Sequence, residues 1–278
     1  MTQSGRPEGG GTRRPRPRKR FGQHFLEPVW AAKVVEAIAP EPGDRFIEIG
    51  PGRGAITLPL AATGVRLRAI EIDRDLAAAL EPQLPSTATV RQADFLALTP
   101  DELFGDDPGF WRAVGNLPYN LSTPILIRLH DLARTTGRLK DATLMLQREV
   151  ADRVLAGPGT GEYGPLAILL GLYADRERLL SLPPGAFRPA PEVHSSVVRL
   201  VFRPPSVSVG DYLTLERLVR TVFQQRRKTL ANALRPLLAR AGVDAGALAS
   251  AAGVDPGQRP EMLSAAAFVR LADALASR

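Results

Sequence analysis

Phe46-Ile47-Glu48-Ile49-Gly50-Pro51-Gly52-Arg53-Gly54 is the stretch on which the fold turns. An apolar run holding one acidic residue, followed by three glycines in five positions, reads as a buried strand that ends in a tight turn where the backbone approaches a ligand. Ala55-Ile56-Thr57-Leu58 then opens a helix. Strand, glycine turn and helix together form the first unit of a nucleotide-binding sheet, with the ligand against the turn at the carboxyl end of the strand.

Outward from this unit, strands and helices alternate at βαβ spacing. Strand-like runs fall at 45–49, 66–72, 87–92, 112–115, 143–147, 176–180 and 196–202, and helix patterns at 27–39, 55–63, 75–83, 124–132, 148–156 and 165–173. The reading is an α/β, Rossmann-like sheet of seven strands, the arrangement of S-adenosylmethionine-dependent methyltransferases, followed by a small all-helical domain. Residues 181–195 hold four prolines and no helix pattern, so a long loop is expected there. Arg203-Pro204-Pro205-Ser206 reads as a linker. Beyond it, Leu215, Leu218, Val219, Val222 and Phe223 recur at helix spacing, and further helices are expected at about 244–252 and 264–276. The predicted organisation is a disordered basic tail at 1–18, a cofactor-binding catalytic domain at 19–203 and a helical domain at 207–278.

The charge balance is uneven along the chain. Residues 1–20 carry seven Lys/Arg against one Glu, residues 21–204 nineteen against twenty-two acidic groups, and residues 205–278 ten against six. Basic flanks around an acidic centre suit a protein that grips a polyanion with its ends and holds a small ligand in its middle. There are no cysteines, which excludes disulfides, thiolate metal sites and a cysteine nucleophile. The three histidines are not at metal-ligand spacing, so no metal is expected. No apolar run reaches the ~18 residues of a membrane span, and no signal peptide is apparent. A cytoplasmic protein is expected.

The glycine turn fits both a dehydrogenase fingerprint and an S-adenosylmethionine turn. Glu71, 21 residues after Gly50 at the end of the second strand, can accept both ribose hydroxyls of either cofactor. Asp94, after the third strand, either accepts from an adenine amine or caps the turn before Phe95. Asn116-Leu117-Pro118-Tyr119 separates the cofactors. It follows the fourth strand and supplies what an aromatic exocyclic amine needs: the Asn116 carboxamide oxygen as one acceptor, a backbone carbonyl held by the rigid Leu117-Pro118 step as a second, and the Tyr119 ring to stack on the base. Arg226-Arg227-Lys228, within Phe223 to Leu230, is a cluster with phosphate-binding chemistry.

With these blocks in order, the chain resembles the ribosomal RNA adenine N6-dimethyltransferases, and among them the bacterial small-subunit type. The likeness covers about residues 18–278 and includes Lys19-Arg20-Phe21-Gly22-Gln23-His24-Phe25-Leu26, Gln147-Arg148-Glu149-Val150, residues 184–200 and residues 223–230. It implies dimethylation of two adjacent adenosines near the 3′ end of 16S rRNA, with S-adenosylmethionine as cofactor, the small-subunit RNA or pre-30S particle as partner, and a monomer. It further implies that His24 and Leu26 touch the cofactor, that Gly50 and Gly52 line the turn, that Glu71 takes the ribose and Asp94 the adenine, and that Asn116 orients the target amine. Phe187 is similar to the family's loop aromatic that approaches the base opposite the tyrosine. Position 24 is often Asn in the family, so only a backbone role is carried over to His24. Two rivals share much of this pattern: a large-subunit enzyme of the macrolide-resistance type, disfavoured by the 226–230 block, and a ribosome-assembly factor acting mainly by binding. A dehydrogenase lacks its proton donor here.

Overall fold

A computed structural model describes residues 24–239 and 242–277. The expected tail at 1–18, and the Lys19 to Gln23 part of the first block, lie outside the described residues. The elements are β1 (Phe25–Leu26), α1 (Pro28–Ile38), β2 (Arg45–Ile49), α2 (Thr57–Ala61), β3 (Arg66–Glu71), α3 (Arg74–Leu80), β4 (Ala88–Gln92), α4 (Pro100–Phe104), β5 (Trp111–Asn116), α5 (Ser122–Thr136), β6 (Leu139–Gln147), α6 (Arg148–Leu155), α7 (Pro165–Tyr173), β7 (Ala174–Leu182), β8 (Phe187–Arg188), β9 (Ser195–Phe202), α8 (Tyr212–Phe223), α9 (Leu230–Leu238), α10 (Ala245–Ala251) and α11 (Ala265–Ala276).

One seven-stranded sheet runs in the order β4-β3-β2-β5-β6-β9-β7. β2, β3, β4, β5 and β6 pair in parallel, whereas β9 is antiparallel to both β6 and β7. The order reverses at β2, which pairs with β3 on one side and β5 on the other. That switch point opens a crevice at the carboxyl ends of the strands. Side chains alternate between faces along a strand. On one face, Phe46, Leu67 and Val114 pack under α1 and α2, and on the other Ile47, Ile49, Ile70 and Ala113 pack under α5. Glu48, Glu71 and Asn116 share the parity of Phe46, Leu67 and Val114. Three polar groups on adjacent strands therefore reach the same face at the same end of the sheet.

The carboxyl end of α1 is tied to the sheet by two arginines. Arg112 donates to the Ile38 and Ala39 carbonyls, at 2.8 and 3.1 Å, and is charge-paired with Asp44 and Asp141 at 2.7 and 3.0 Å. Arg199 donates to the Ala37 and Ile38 carbonyls at 2.7 and 2.8 Å. These bonds satisfy carbonyls that every helix end leaves without an internal partner.

The loop expected at 181–195 contains more structure than its prolines suggest. β7 runs on to Leu182, and β8 pairs antiparallel with β1, Leu26 opposite Phe187 and Phe25 opposite Arg188. Two-residue strands are too short to show periodicity, so this ribbon has no sequence signal. The linker expected at 203–206 is pinned: Arg203 donates from its backbone to Tyr173 O at 2.8 Å, and its guanidinium pairs with Asp175 at 2.8 Å. α8, α9, α10 and α11 share one apolar core with α7, to which Leu172, Leu215, Leu218 and Phe268 all belong. A change of chain composition near residue 204 thus does not coincide with a break in the core.

Candidate active site

The glycine turn is built by backbone conformation. Gly50 and Gly52 have φ of 69° and 57°, in the left-handed region where a side chain is strained. At Gly52 a Cβ would also sit 3.3 Å from the Phe25 ring, so β1 lies directly across the turn. The Arg53 guanidinium covers the same ring at 4.1 Å. Beneath this cover is a cavity of about 360 Å³, within the usual size range of small-ligand sites.

All the cofactor residues expected from the sequence line this cavity: His24, Leu26, Gly50, Gly52, Glu71, Asp94 and Asn116. Leu117, Pro118 and Tyr119 line it as well. Glu71 is 4% exposed, and its carboxylate accepts from Gly52 N–H and from Asp73 N–H, each at 2.9 Å. These backbone donors take up part of the acceptor capacity of a carboxylate, which offers about four lone-pair sites. Burial raises the Glu71 carboxyl above its usual range, and the backbone donors of Asp73, Gly52 and Ile72 offset this only in part. Asp94 fits both of its expected roles, since Oδ1 accepts from Leu96 N–H at 2.9 Å and the residue also borders the cavity.

Asn116 ends β5, with its amide orientation set by the N-terminal segment. Nδ2 donates to His24 O at 2.8 Å, which turns Oδ1 away, and Oδ1 has no partner among the described residues. Pro118 O accepts from Leu121 N–H at 3.0 Å and from the Ser122 hydroxyl at 3.1 Å. Of the Leu117-Pro118 step, the Pro118 carbonyl is thus engaged within the loop. The Tyr119 hydroxyl bonds Ser195 Oγ at 2.8 Å, and the His24 ring stacks on Tyr119 at 5.5 Å with 26° between planes. His24 Nδ1 lies 2.8 Å from Pro189 O. The His24 side chain is therefore a structural part of the site, which the sequence alone left undecided.

Phe187 departs from expectation. Its ring is 1% exposed and packs with Leu26, Leu182, Ala186 and Val197, away from the cavity. Pairing of Phe187 with Leu26 in the β1–β8 ribbon turns the ring into the core, so its contribution is to hold the segment bearing His24 and Leu26. The basic cluster divides. Arg226 Nε pairs with Glu261 at 2.7 Å, while Arg227 and Lys228 are exposed in the turn between α8 and α9.

Several lining residues escaped sequence analysis. Ile72, 44% exposed, and the neighbouring Phe95 and Leu96 give an apolar wall beside Glu71 and Asp94, suited to a flat aromatic base. Glu48 also lines the cavity; it is 1% exposed, and its Oε2 is buried with no hydrogen-bond partner among the described residues. An acidic residue inside an apolar strand is the signal that could have marked it.

The sequence profile described as "Ribosomal RNA adenine dimethylase" matches residues 15–277 of the chain. The chain belongs to the ribosomal RNA adenine dimethylase family. Curated relatives agree along nearly the whole length. The dimethylase is 44% identical over 269 residues to "Ribosomal RNA small subunit methyltransferase A" of Pseudomonas fluorescens, covering 95% of each chain. It is likewise 44% identical over 266 residues to the protein of the same name from Aromatoleum aromaticum, covering 95% of this chain and 96% of the relative. Among solved structures, a dimethyladenosine transferase from Plasmodium falciparum superposes with a TM-score of 0.73 at 22% identity, covering 89% of this chain and 96% of that one. The 23S rRNA methyltransferase ErmE superposes with a TM-score of 0.64 at 26% identity, covering 91% and 99%. No helix among the described residues is long and apolar enough to cross a membrane, and none of their His, Asp and Glu side chains form a group of three that could hold a metal ion.

Proposed function

We propose that this dimethylase transfers methyl groups from S-adenosylmethionine to N6 of two adjacent adenosines near the 3′ end of 16S rRNA, acting as a cytoplasmic monomer on small-subunit precursor particles. The observation that carries the reading is the Asn116 carboxamide, held by its nitrogen to His24 O with its oxygen left to accept, beside a glycine turn and a buried Glu71. When bound, the cofactor supplies an activated methyl on a sulfonium, so the chain has only to bind, orient and desolvate. The residues fit it: Glu71 keeps acceptor capacity for the ribose, Asp94 and the Ile72–Phe95 wall suit the adenine, and the glycine turn gives close backbone approach.

For the target base, Asn116 Oδ1 and the Leu117 carbonyl offer two acceptors to one exocyclic amine. Accepting both hydrogens leaves the nitrogen lone pair directed out of the ring plane. Tyr119, anchored through Ser195, provides the stacking surface for a base that has left its helix. No strong base is needed, because the amine proton becomes acidic once its nitrogen is alkylated. The exposed Arg227 and Lys228 would grip phosphates, while Arg226 is engaged by Glu261. The full length agreement with curated small-subunit relatives favours this reading over the large-subunit rival. Incubation of undermethylated small subunits with labelled cofactor, followed by mass mapping of the RNA, tests it. Label in N6,N6-dimethyladenosine at the 3′ end is expected, and label confined to another base or to large-subunit RNA would reject it.

A further inference from the structure

Glu48 stands apart from the other polar groups of the cavity. Glu71 accepts from backbone donors and the Asn116 amide nitrogen is held by His24 O, whereas Glu48 Oε2 is buried in the cavity wall with no hydrogen-bond partner among the described residues. Its neighbours on β3 and β5 are Ala69 and Val114, which offer no charge. From α2 the Thr57 hydroxyl faces it, and from the end of β3 the Glu71 carboxylate acts on it. The remaining titratable residues lining the cavity are His24, Arg53, Asp94 and Tyr119. Two carboxyl groups, both buried, thus share one face of the sheet in one cavity, and such a pair resists being held as two anions.

We propose that Glu48 is a specificity-determining residue that keeps a proton in the free protein and gives it to solvent when the cationic cofactor enters, so that S-adenosylmethionine is favoured over its uncharged-sulfur product. The inference rests on the cofactor assignment made above. Burial pushes the Glu48 carboxyl up to about 8, the Thr57 hydroxyl opposes this in part, and the Glu71 charge adds to it. S-Adenosylmethionine carries one more positive charge than S-adenosylhomocysteine. In a water-poor cavity that charge stabilises a carboxylate in the wall, and the carboxylate in return stabilises the sulfonium. After transfer the C–S bond has gone to the amine nitrogen, sulfur is a neutral thioether, and the amine has lost its proton to solvent. Glu48 then faces a ligand with one positive charge fewer and takes a proton back from solvent, which weakens the hold on the product. A dimethylating enzyme has to exchange product for fresh cofactor repeatedly, and this linkage would assist each exchange.

The test is calorimetry of S-adenosylmethionine and S-adenosylhomocysteine binding in buffers of different ionisation enthalpy, on the parent and on Glu48→Gln. At pH 7 the parent should release most of a proton with S-adenosylmethionine and clearly less with S-adenosylhomocysteine, as expected for a group held well above the usual carboxylate range. Its affinity for S-adenosylmethionine should strengthen about tenfold from pH 6 to pH 7. Glu48→Gln should remove both the proton release and the slope, and narrow the ratio of the two affinities. Equal proton counts for the two ligands, or a count unchanged in Glu48→Gln, would overturn the proposal while leaving the cofactor assignment standing. No binding of S-adenosylmethionine to the parent would overturn both. Should the variant not fold, a flat pH dependence in the parent between pH 6 and 7 decides against the proposal by itself.

Discussion

Glu71→Gln is a demanding perturbation because the two side chains are nearly the same shape. In the parent, Oε2 accepts from Gly52 N–H and Oε1 from Asp73 N–H, both at 2.9 Å. A carboxamide has one acceptor oxygen, so its NH2 group must face one of those two backbone donors. One N–H then loses its partner, in a site where Glu71 and Asp73 are each 4% exposed. An unsatisfied buried donor costs about 1–3 kcal/mol, and each hydrogen bond to a charged acceptor that the ribose loses is worth about 1.5–3 kcal/mol. Relief from burying a carboxylate offsets part of the first cost, since burial already disfavours that charge. It does not offset the second. The dissociation constant for S-adenosylmethionine should therefore rise roughly ten- to a hundredfold. Titration calorimetry on folded variant, checked by near-ultraviolet circular dichroism, measures it. A constant within twofold of the parent would show that Glu71 serves only the glycine turn.

Three other outcomes follow from the structure. Replacing Arg227 and Lys228 by Ala should reduce the slope of log RNA affinity against log salt by about 1.5, at roughly 0.7 to 0.9 per lost phosphate contact, whereas Arg226→Ala should change it less because that guanidinium is paired with Glu261; filter binding over a salt series reads both. Arg112→Ala should cost about 3–5 kcal/mol of stability in urea unfolding, by stranding the Asp44 and Asp141 carboxylates beneath α1. His130, between α5 and α8, bonds the Tyr212 hydroxyl at 2.9 Å, and burial, with Arg134 nearby, holds its imidazole down to about 4 from 6.5. The unfolded chain then binds the extra proton first, so stability should fall as pH drops from about 6.5 toward 4, by on the order of 3 kcal/mol, and His130→Phe should flatten that part of the unfolding profile.

The central sheet and most of the cavity are legible in the sequence because their determinants are local. The run 46–54 carries its own strand, turn and helix signals, and Glu71 and Asn116 follow at strand ends where a parallel sheet directs its polar residues to one edge. α4 escaped although its start is marked: Thr99 and Glu102 form a capping box, a signal easily lost in a helix of five residues. The β1–β8 ribbon and the burial of Phe187 depend on pairing across about 160 residues, for which two-residue strands leave no pattern. The resemblance placed Phe187 beside the base, whereas the register seats its ring in the core with Leu26. Glu48 was visible as an acidic residue in an apolar strand, but its lack of a partner is a property of packing on β3, β5 and α2, which no spacing along the chain encodes.

The proposed methyl transfer depends most directly on Asn116, whose amide nitrogen is held by His24 O and whose oxygen is proposed to orient the target amine. Single-turnover methyl transfer to undermethylated small subunits, measured for Asn116→Ala together with equilibrium binding of cofactor and RNA, isolates that role. Losing the acceptor lets the reacting nitrogen shift, and a misplacement of about 1 Å costs on the order of a hundredfold in rate. The predicted result is a fall of that size in the transfer step, with cofactor and RNA affinities changed only modestly, because Gly50, Glu71 and Asp94 keep their places in the cavity. Transfer at the parental rate by a folded variant that binds both ligands would contradict it.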